Sequence, residues 1–189
     1  RKTRRIRQHL QQANDMNHRA DIRYRKKESS GYLVAVFLRK FTLYGRLHTR
    51  GYRHYQGFTS EARQNITING HPVVEQDFSG LHPRLLYAAE GIQFDDDPYT
   101  VVSYAPAARP FLKHLLLCLL NSEDLTSAEK AGNHWLYQHH AARKRLANVG
   151  ITRARPLMER FYRIHAPINH YFCTGKDTGL RIMNRDAQI

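Results

Sequence analysis

The chain has 189 residues with 30 Lys and Arg against 16 Asp and Glu, a formal charge of +14 and an isoelectric point near 10.1. An apolar fraction of 41% suits a soluble globular domain with a buried core, and the excess of base favours a polyanionic partner, nucleic acid or an anionic membrane surface. Two cysteines, Cys118 and Cys173, exclude a disulfide-rich scaffold and a four-cysteine zinc site; no apolar run approaches the ~20 residues of a membrane span, and no secretory signal is present.

Residues 1–28, polar and rich in Arg and Gln, are expected to form a helix with a frayed start. Tyr32 to His48 is rich in strand formers and interrupted by Gly45. Two short β runs then flank Asn69-Gly70, a hairpin turn whose residues tolerate positive φ, and the second run is expected to end at Asp77. Leu81 to Ala89 reads as a helix, and Asp95-Asp96-Asp97-Pro98 as a loop and helix start. Phe111 to Asn121 reads as a buried helix. Thr126-Ser-Ala-Glu129 has the pattern of a capping box, opening a helix through Ala142 and towards Asn148 that Gly150 stops. Pro156 to Phe172 reads as an amphipathic helix bent or ended by Pro167, and Gly179 to Ile189 as a last helix. Strands come first and helices later, so the expected class is α+β.

The basic charge is not even. Residues 1–63 carry 16 Lys and Arg against 4 Asp and Glu, a net +12; the remainder carries a net +2. Arginine outnumbers lysine 22 to 8, which suits bidentate phosphate contacts, and Tyr24, Tyr32, Tyr44, Tyr52 and Tyr55 are interleaved with Arg39, Lys40, Arg46, Arg50 and Arg53. Such rings stack on bases while guanidinium groups take phosphates. A solvated basic face is the alternative.

Two segments carry chemistry. In Val73-Val-Glu-Gln-Asp-Phe-Ser-Gly-Leu-His-Pro-Arg84 an apolar run delivers Asp77, then a Ser-Gly turn, then a helix. A carboxylate so placed is an oxygen ligand for a hard cation such as Mg²⁺, or a helix cap. In the later helix, Arg109, Lys113 and Leu117 fall on one stripe. A cationic pair there is a triphosphate ligand or a snorkelling edge. Twelve histidines, including His139, His140, His165 and His170, show no zinc spacing. His140 with Arg143 to Arg145 reads as a solvated face near nucleic acid. Cys118 reads as core. Asp95 to Asp97 reads as an exposed acidic turn, with cation binding as the alternative. Ser79 lacks the frame of a nucleophile elbow.

Together these residues resemble the palm and fingers of family A DNA polymerases, the DNA polymerase I type, and of the related phage-type single-subunit RNA polymerases. Asp77-Phe-Ser-Gly-Leu-His-Pro-Arg84 is similar to motif A, Asp-Tyr-Ser-Gln-Ile-Glu-Leu-Arg. Arg109-x3-Lys113-x3-Leu117-x3-Asn121 is similar to motif B, Arg-x3-Lys-x3-Phe-x3-Tyr-Gly. Thr42-Leu-Tyr-Gly-Arg-Leu-His-Thr49 resembles the primer-template segment Thr-x-Thr-Gly-Arg-Leu-Ser-Ser, and Asp97-Pro-Tyr-Thr100 falls where the family has Asp-Ile-His. The likeness covers roughly residues 32–125.

The resemblance implies a palm-like antiparallel sheet with helical fingers. It divides the chain into a basic helical segment (1–30), a palm-like part with motif A (31–90), fingers-like helices with motif B (91–150) and helices returning to the palm (151–189). It implies template-directed nucleotidyl transfer with two Mg²⁺ ions, Asp77 bridging them and the Phe78 carbonyl completing one shell. Arg109 and Lys113 would hold the nucleoside triphosphate, and Lys113 would protonate the leaving group. His82 and Asn121 stand where the family places its sugar-screening Glu and its stacking Tyr. Arg39, Lys40, Arg46, Thr49, Arg50 and Arg53 would line the DNA primer-template. His82, Asn121 and Ser122 depart from the family, and the His-Asp pair of motif C is absent. The chain starts at Arg1 and stops where that pair would follow, so a piece of a longer polymerase, completed by the rest of the chain or by accessory subunits, is expected. A cytoplasmic setting without membrane contact is expected. The alternatives are a catalytically inactive nucleic-acid-binding module and an RNA-synthesising relative.

Overall fold

A computed structural model describes residues 2–51, 53–175 and 177–186. Tyr52 and the last three residues of the expected final helix lie outside the described residues. The chain is α+β with small antiparallel sheets, and its described residues divide into two compact units, one ending at residue 77 and one covering residues 78–186. The boundary falls inside the motif-A-like segment, between Asp77 and Phe78.

The first unit opens with α1 (Lys2–Arg19). The polar run expected to be helical as far as 28 instead turns into β1 (Ile22–Tyr24) and β2 (Lys27–Glu28). The reason lies at Arg25 and Lys26, which both take left-handed backbone, φ 48° and 64°, and form the tight turn. β1 also pairs with β5 (Ile66–Ile68), which pairs with β6 (His71–Pro72), giving the order β2-β1-β5-β6, all antiparallel. The β5–β6 turn is Asn69-Gly70 at φ 52° and 82°, as the sequence predicts.

β3 (Tyr32–Leu38) and β4 (Lys40–Arg50) form a separate two-stranded hairpin with register shifts around Ala35 to Leu38. Helix α1 packs on β3. Its side of the contact is polar: the amide of Asn14 donates to the Leu33 carbonyl at 2.9 Å and accepts from the Leu33 N–H at 2.6 Å, and Asn17 donates to Gly31 at 2.7 Å. Those amides satisfy backbone groups that β4 does not reach.

The second unit is helical: α3 (Leu81–Ala89), α4 (Arg109–Asn121), α5 (Leu125–Gln138), α6 (His140–Ala147), α7 (Arg155–Ile164) and α8 (Thr178–Asp186); the short α2 (Ser60–Arg63) belongs to the first unit. α4 is the central helix, packed by α5, α7 and α8, with Phe111, Leu112, Leu115, Leu119 and Leu120 fully buried. Helices expected in separate stretches, 91–150 and 151–189, thus share one core.

Two expectations about helix ends are corrected, and the one that Pro167 bends or ends its helix holds. α5 is capped by Asp124, whose carboxylate accepts the Ser127 N–H at 2.7 Å, so Thr126 and Glu129 lie inside the helix and form no capping box. The long helix breaks at His139, whose ring stacks 4.2 Å from Trp135 and whose Nδ1 reaches the Trp135 carbonyl at 2.9 Å. α7 ends at Ile164, before Pro167, and a 3-10 turn (Ala166–Tyr171) follows. Among the described residues no helix is long and apolar enough to cross a membrane.

Candidate functional site

The segment leading to Asp77 is not a strand. β6 stops at Pro72, which has no N–H for a ladder; beyond it Val73 is half-buried and Val74 is exposed. The expectation that a strand delivers Asp77 to a sheet edge is therefore corrected: Asp77 is an exposed residue of irregular chain ending the first unit. Phe78 opens the second unit and is 69% exposed.

Beyond it the local geometry is built. Gly80 caps α3 in left-handed conformation, φ 63°. A side chain there would strain the backbone and meet Pro98, since a Cβ would lie 2.6 Å from the proline Cγ. From the first turns of α3, Arg84 folds back and donates to the carbonyls of Ser79 at 3.0 Å, Asp95 at 3.2 Å, Asp96 at 3.1 Å, and Phe94. One guanidinium thus ties the start of α3 to the acidic turn.

Asp97 makes an Asx turn, accepting the Tyr99 N–H at 2.9 Å, and pairs with Arg109 at the start of α4. Partial burial works to raise the Asp97 pKa, but the Tyr99 N–H and the Arg109 guanidinium outweigh it and hold the carboxyl below its usual range. Arg109 also donates to the Ser79 hydroxyl at 3.1 Å and lies over the Tyr99 ring, 5.1 Å from its centroid. So Asp97 is not the free acidic turn expected from the sequence, and Arg109 is not a bare cation aimed into open space. A guanidinium has five N–H donors, so two partners leave donors for a further ligand.

Lys113 is exposed one turn beyond Arg109. Asn121 closes α4, about 18 Å along the axis at 1.5 Å per residue, and its amide donates to the Leu117 carbonyl at 2.8 Å. His82 is half-buried in the first turn of α3. The structure therefore brings Ser79, Arg84, Asp97 and Arg109 together; Lys113 is their neighbour, while Asn121 stands apart.

Behind the acidic turn is a buried network. His165, 1% exposed, lies 2.8 Å from the Tyr87 hydroxyl through Nδ1 and 2.9 Å from the Pro98 carbonyl through Nε2. A carbonyl only accepts, so Nε2 carries the proton and Nδ1 accepts from Tyr87. Burial lowers the His165 pKa. This network was not visible in the sequence, where His165 showed only that it lacks zinc spacing. Cys118 is core as expected, its thiol pushed up to about 11 by burial.

In the first unit Arg39 occupies the β3–β4 turn at φ 61°, and Lys40, Arg46 and Arg50 are exposed along β4. Arg53 is half-buried, its carbonyl accepting from the Ser29 hydroxyl at 2.5 Å. Thr49 corrects its expectation: it is buried, with its N–H on Gln56 at 2.9 Å and its hydroxyl 3.0 Å from His54, and serves the hairpin rather than its surface.

Among the described residues no group of three or more His, Cys, Asp or Glu comes together. Asp77 offers oxygen of the kind Mg²⁺ takes, but a single carboxylate does not make a two-ion site. Comparison with known protein families, with curated proteins and with solved structures finds no match to the chain.

Proposed function

We propose that the chain binds primer-template DNA and a nucleoside triphosphate for template-directed nucleotidyl transfer, in the manner of a polymerase palm and fingers. The observation that carries this is the convergence within the second unit of three segments the resemblance orders separately. These are Ser79 and Arg84 after Asp77, Asp97 of the acidic turn, and Arg109 at the head of α4. In this proposal Asp97 and Ser79 hold the Arg109 fork in a fixed orientation, and its remaining donors with the exposed Lys113 bind the triphosphate. The basic first unit, with 16 Lys and Arg against 6 Asp and Glu over residues 1–77, binds the nucleic-acid backbone. Asp77 would hold Mg²⁺, and when bound the metal would offset phosphate charge.

A second reading, a nucleic-acid-binding module without catalysis, is favoured by the engagement of Arg109 with Asp97 and Ser79. One titration separates the two. Anisotropy of a fluorescent dNTP with Mg²⁺ is expected to report binding that Lys113→Ala weakens about tenfold, one ion-assisted contact. No nucleotide binding beside intact DNA binding selects the inert module. For catalysis, primer extension by the natural protein is expected to vanish in Asp77→Ala with DNA binding retained. Extension surviving the substitution removes Asp77 from the mechanism.

A further inference from the structure

Helix α1 bonds the edge of β3, and the two faces of the β3–β4 hairpin differ in exposure. Opposed residues of an antiparallel pair share a face. Leu33 and Thr49, opposed and both buried, lie on one face. The other face carries Tyr32 opposite Arg50 and, in the next row, Val34 opposite His48. Tyr32 is 58% exposed and Arg50 is exposed.

Tyr44 joins this face by an unusual route. It and Gly45 both take left-handed backbone, φ 69° and 71°, where the β3–β4 register shifts. Such a conformation is strained for a tyrosine by about 1 kcal/mol or more. The bulge directs the Tyr44 ring onto His48: the rings are stacked with centroids 5.7 Å apart, and the Tyr44 hydroxyl lies 3.0 Å from His48 Nε2.

We propose that this face is a base-stacking platform for single-stranded DNA. Tyr32 is one station and the Tyr44–His48 pair is the other. The His48 row is next to the Tyr32 row, about 7 Å away for two residues of strand, within reach of neighbouring unpaired bases. The exposed Arg50 beside Tyr32, with Lys40 and Arg46 on the same strand, supplies cations for the phosphates. The charge is complementary, since residues 1–77 carry a net +10. The Tyr44 hydroxyl and His48 Nε2 bond each other, so the pair presents rings rather than sequence-reading groups. The proposal rests on the nucleic-acid side of the function above and takes the unpaired template strand as occupant.

The test is fluorescence anisotropy of the whole chain with a labelled oligothymidylate 15-mer, an abasic 15-mer, a 15-base-pair duplex and an oligouridylate 15-mer. Tyr44→Gly removes the ring while accepting the left-handed backbone, and a circular dichroism melt checks that the fold survives. Tyr32→Ala tests the other station. Each is expected to weaken oligothymidylate binding about five- to hundredfold, the range of one lost base stack. Abasic and duplex binding are expected to change less than about twofold, as phosphate contacts remain. Tyr44→Phe, which keeps the ring, is expected to bind like wild type. An unchanged oligothymidylate affinity, or an equal loss on the abasic strand, overturns stacking. Tighter binding of the duplex or of oligouridylate by the wild type overturns the assignment to single-stranded DNA. Nucleotide binding by the second unit is read separately, so failure of the polymerase proposal leaves this result interpretable.

Discussion

Replacing His165 by leucine tests the buried network behind the acidic turn. The imidazole receives the Tyr87 hydroxyl at 2.8 Å and gives its Nε2 proton to the Pro98 carbonyl at 2.9 Å. Tyr87 and Pro98 are themselves buried. Leucine fills similar space and satisfies neither. Each stranded buried group costs about 1–3 kcal/mol, so the expected loss at pH 8 is about 2–6 kcal/mol. The pH dependence has a definite sign. Burial holds the folded pKa of His165 below its ordinary 6.5, so in the window below 6.5 the unfolded chain takes up a proton that the native chain does not. Wild-type stability attributable to His165 is present above that window and is lost as the pH falls through it, by at most about 1.4 kcal/mol per pH unit. The leucine variant lacks this contribution, so its deficit narrows on acidification. Urea unfolding of both proteins at pH 8.0, 6.5 and 5.5 measures it, followed by the fluorescence of Trp135 in the same unit. A deficit under about 0.5 kcal/mol, or one that stays constant with pH, refutes the network as described.

Three further outcomes are expected. Asn14→Ala strips the Leu33 N–H and carbonyl of their partner, so it should cost about 2–4 kcal/mol and raise hydrogen exchange at Leu33. Gly132→Ala improves helix propensity by about 1 kcal/mol, but its Cβ would meet Leu115 Cδ2 at 2.6 Å and Ala154 Cβ at 2.8 Å. Overpacking costs about 1–3 kcal/mol, so a net destabilisation of about 1 kcal/mol is expected in urea melts. Arg46→Gln with Arg50→Gln should weaken DNA binding at low salt and shrink the log–log salt slope by about 1.5; an unchanged slope removes these arginines from the interface.

Much of the fold follows from local rules. Leu81–Ala89 and the body of α4 are legible because apolar residues recur at helical spacing, and the β5–β6 turn because Asn69-Gly70 accepts positive φ. The uneven charge and the order of Asp77, Arg84, Arg109 and Lys113 are likewise properties of the sequence. What it misjudged depends on partners far along the chain. Val73 and Val74 have strand character, but Pro72 closes the ladder and Val74 is left exposed. Asp97 looks like a solvated acid until Arg109, twelve residues on, packs against it.

The same division separates α1 from its role. Its composition specifies a polar helix, and only tertiary structure directs Asn14 to the unpaired edge of Leu33, nineteen residues away. His165 reaches Pro98 across 67 residues and Tyr87 across 78. Hydrogen-bonding groups identify what a residue can satisfy, but which buried group needs satisfying is decided when distant segments pack. The strained ring of Tyr44 belongs with them: its tyrosine is written in the sequence, and its orientation is set by the bulge that the pairing of β3 with β4 imposes.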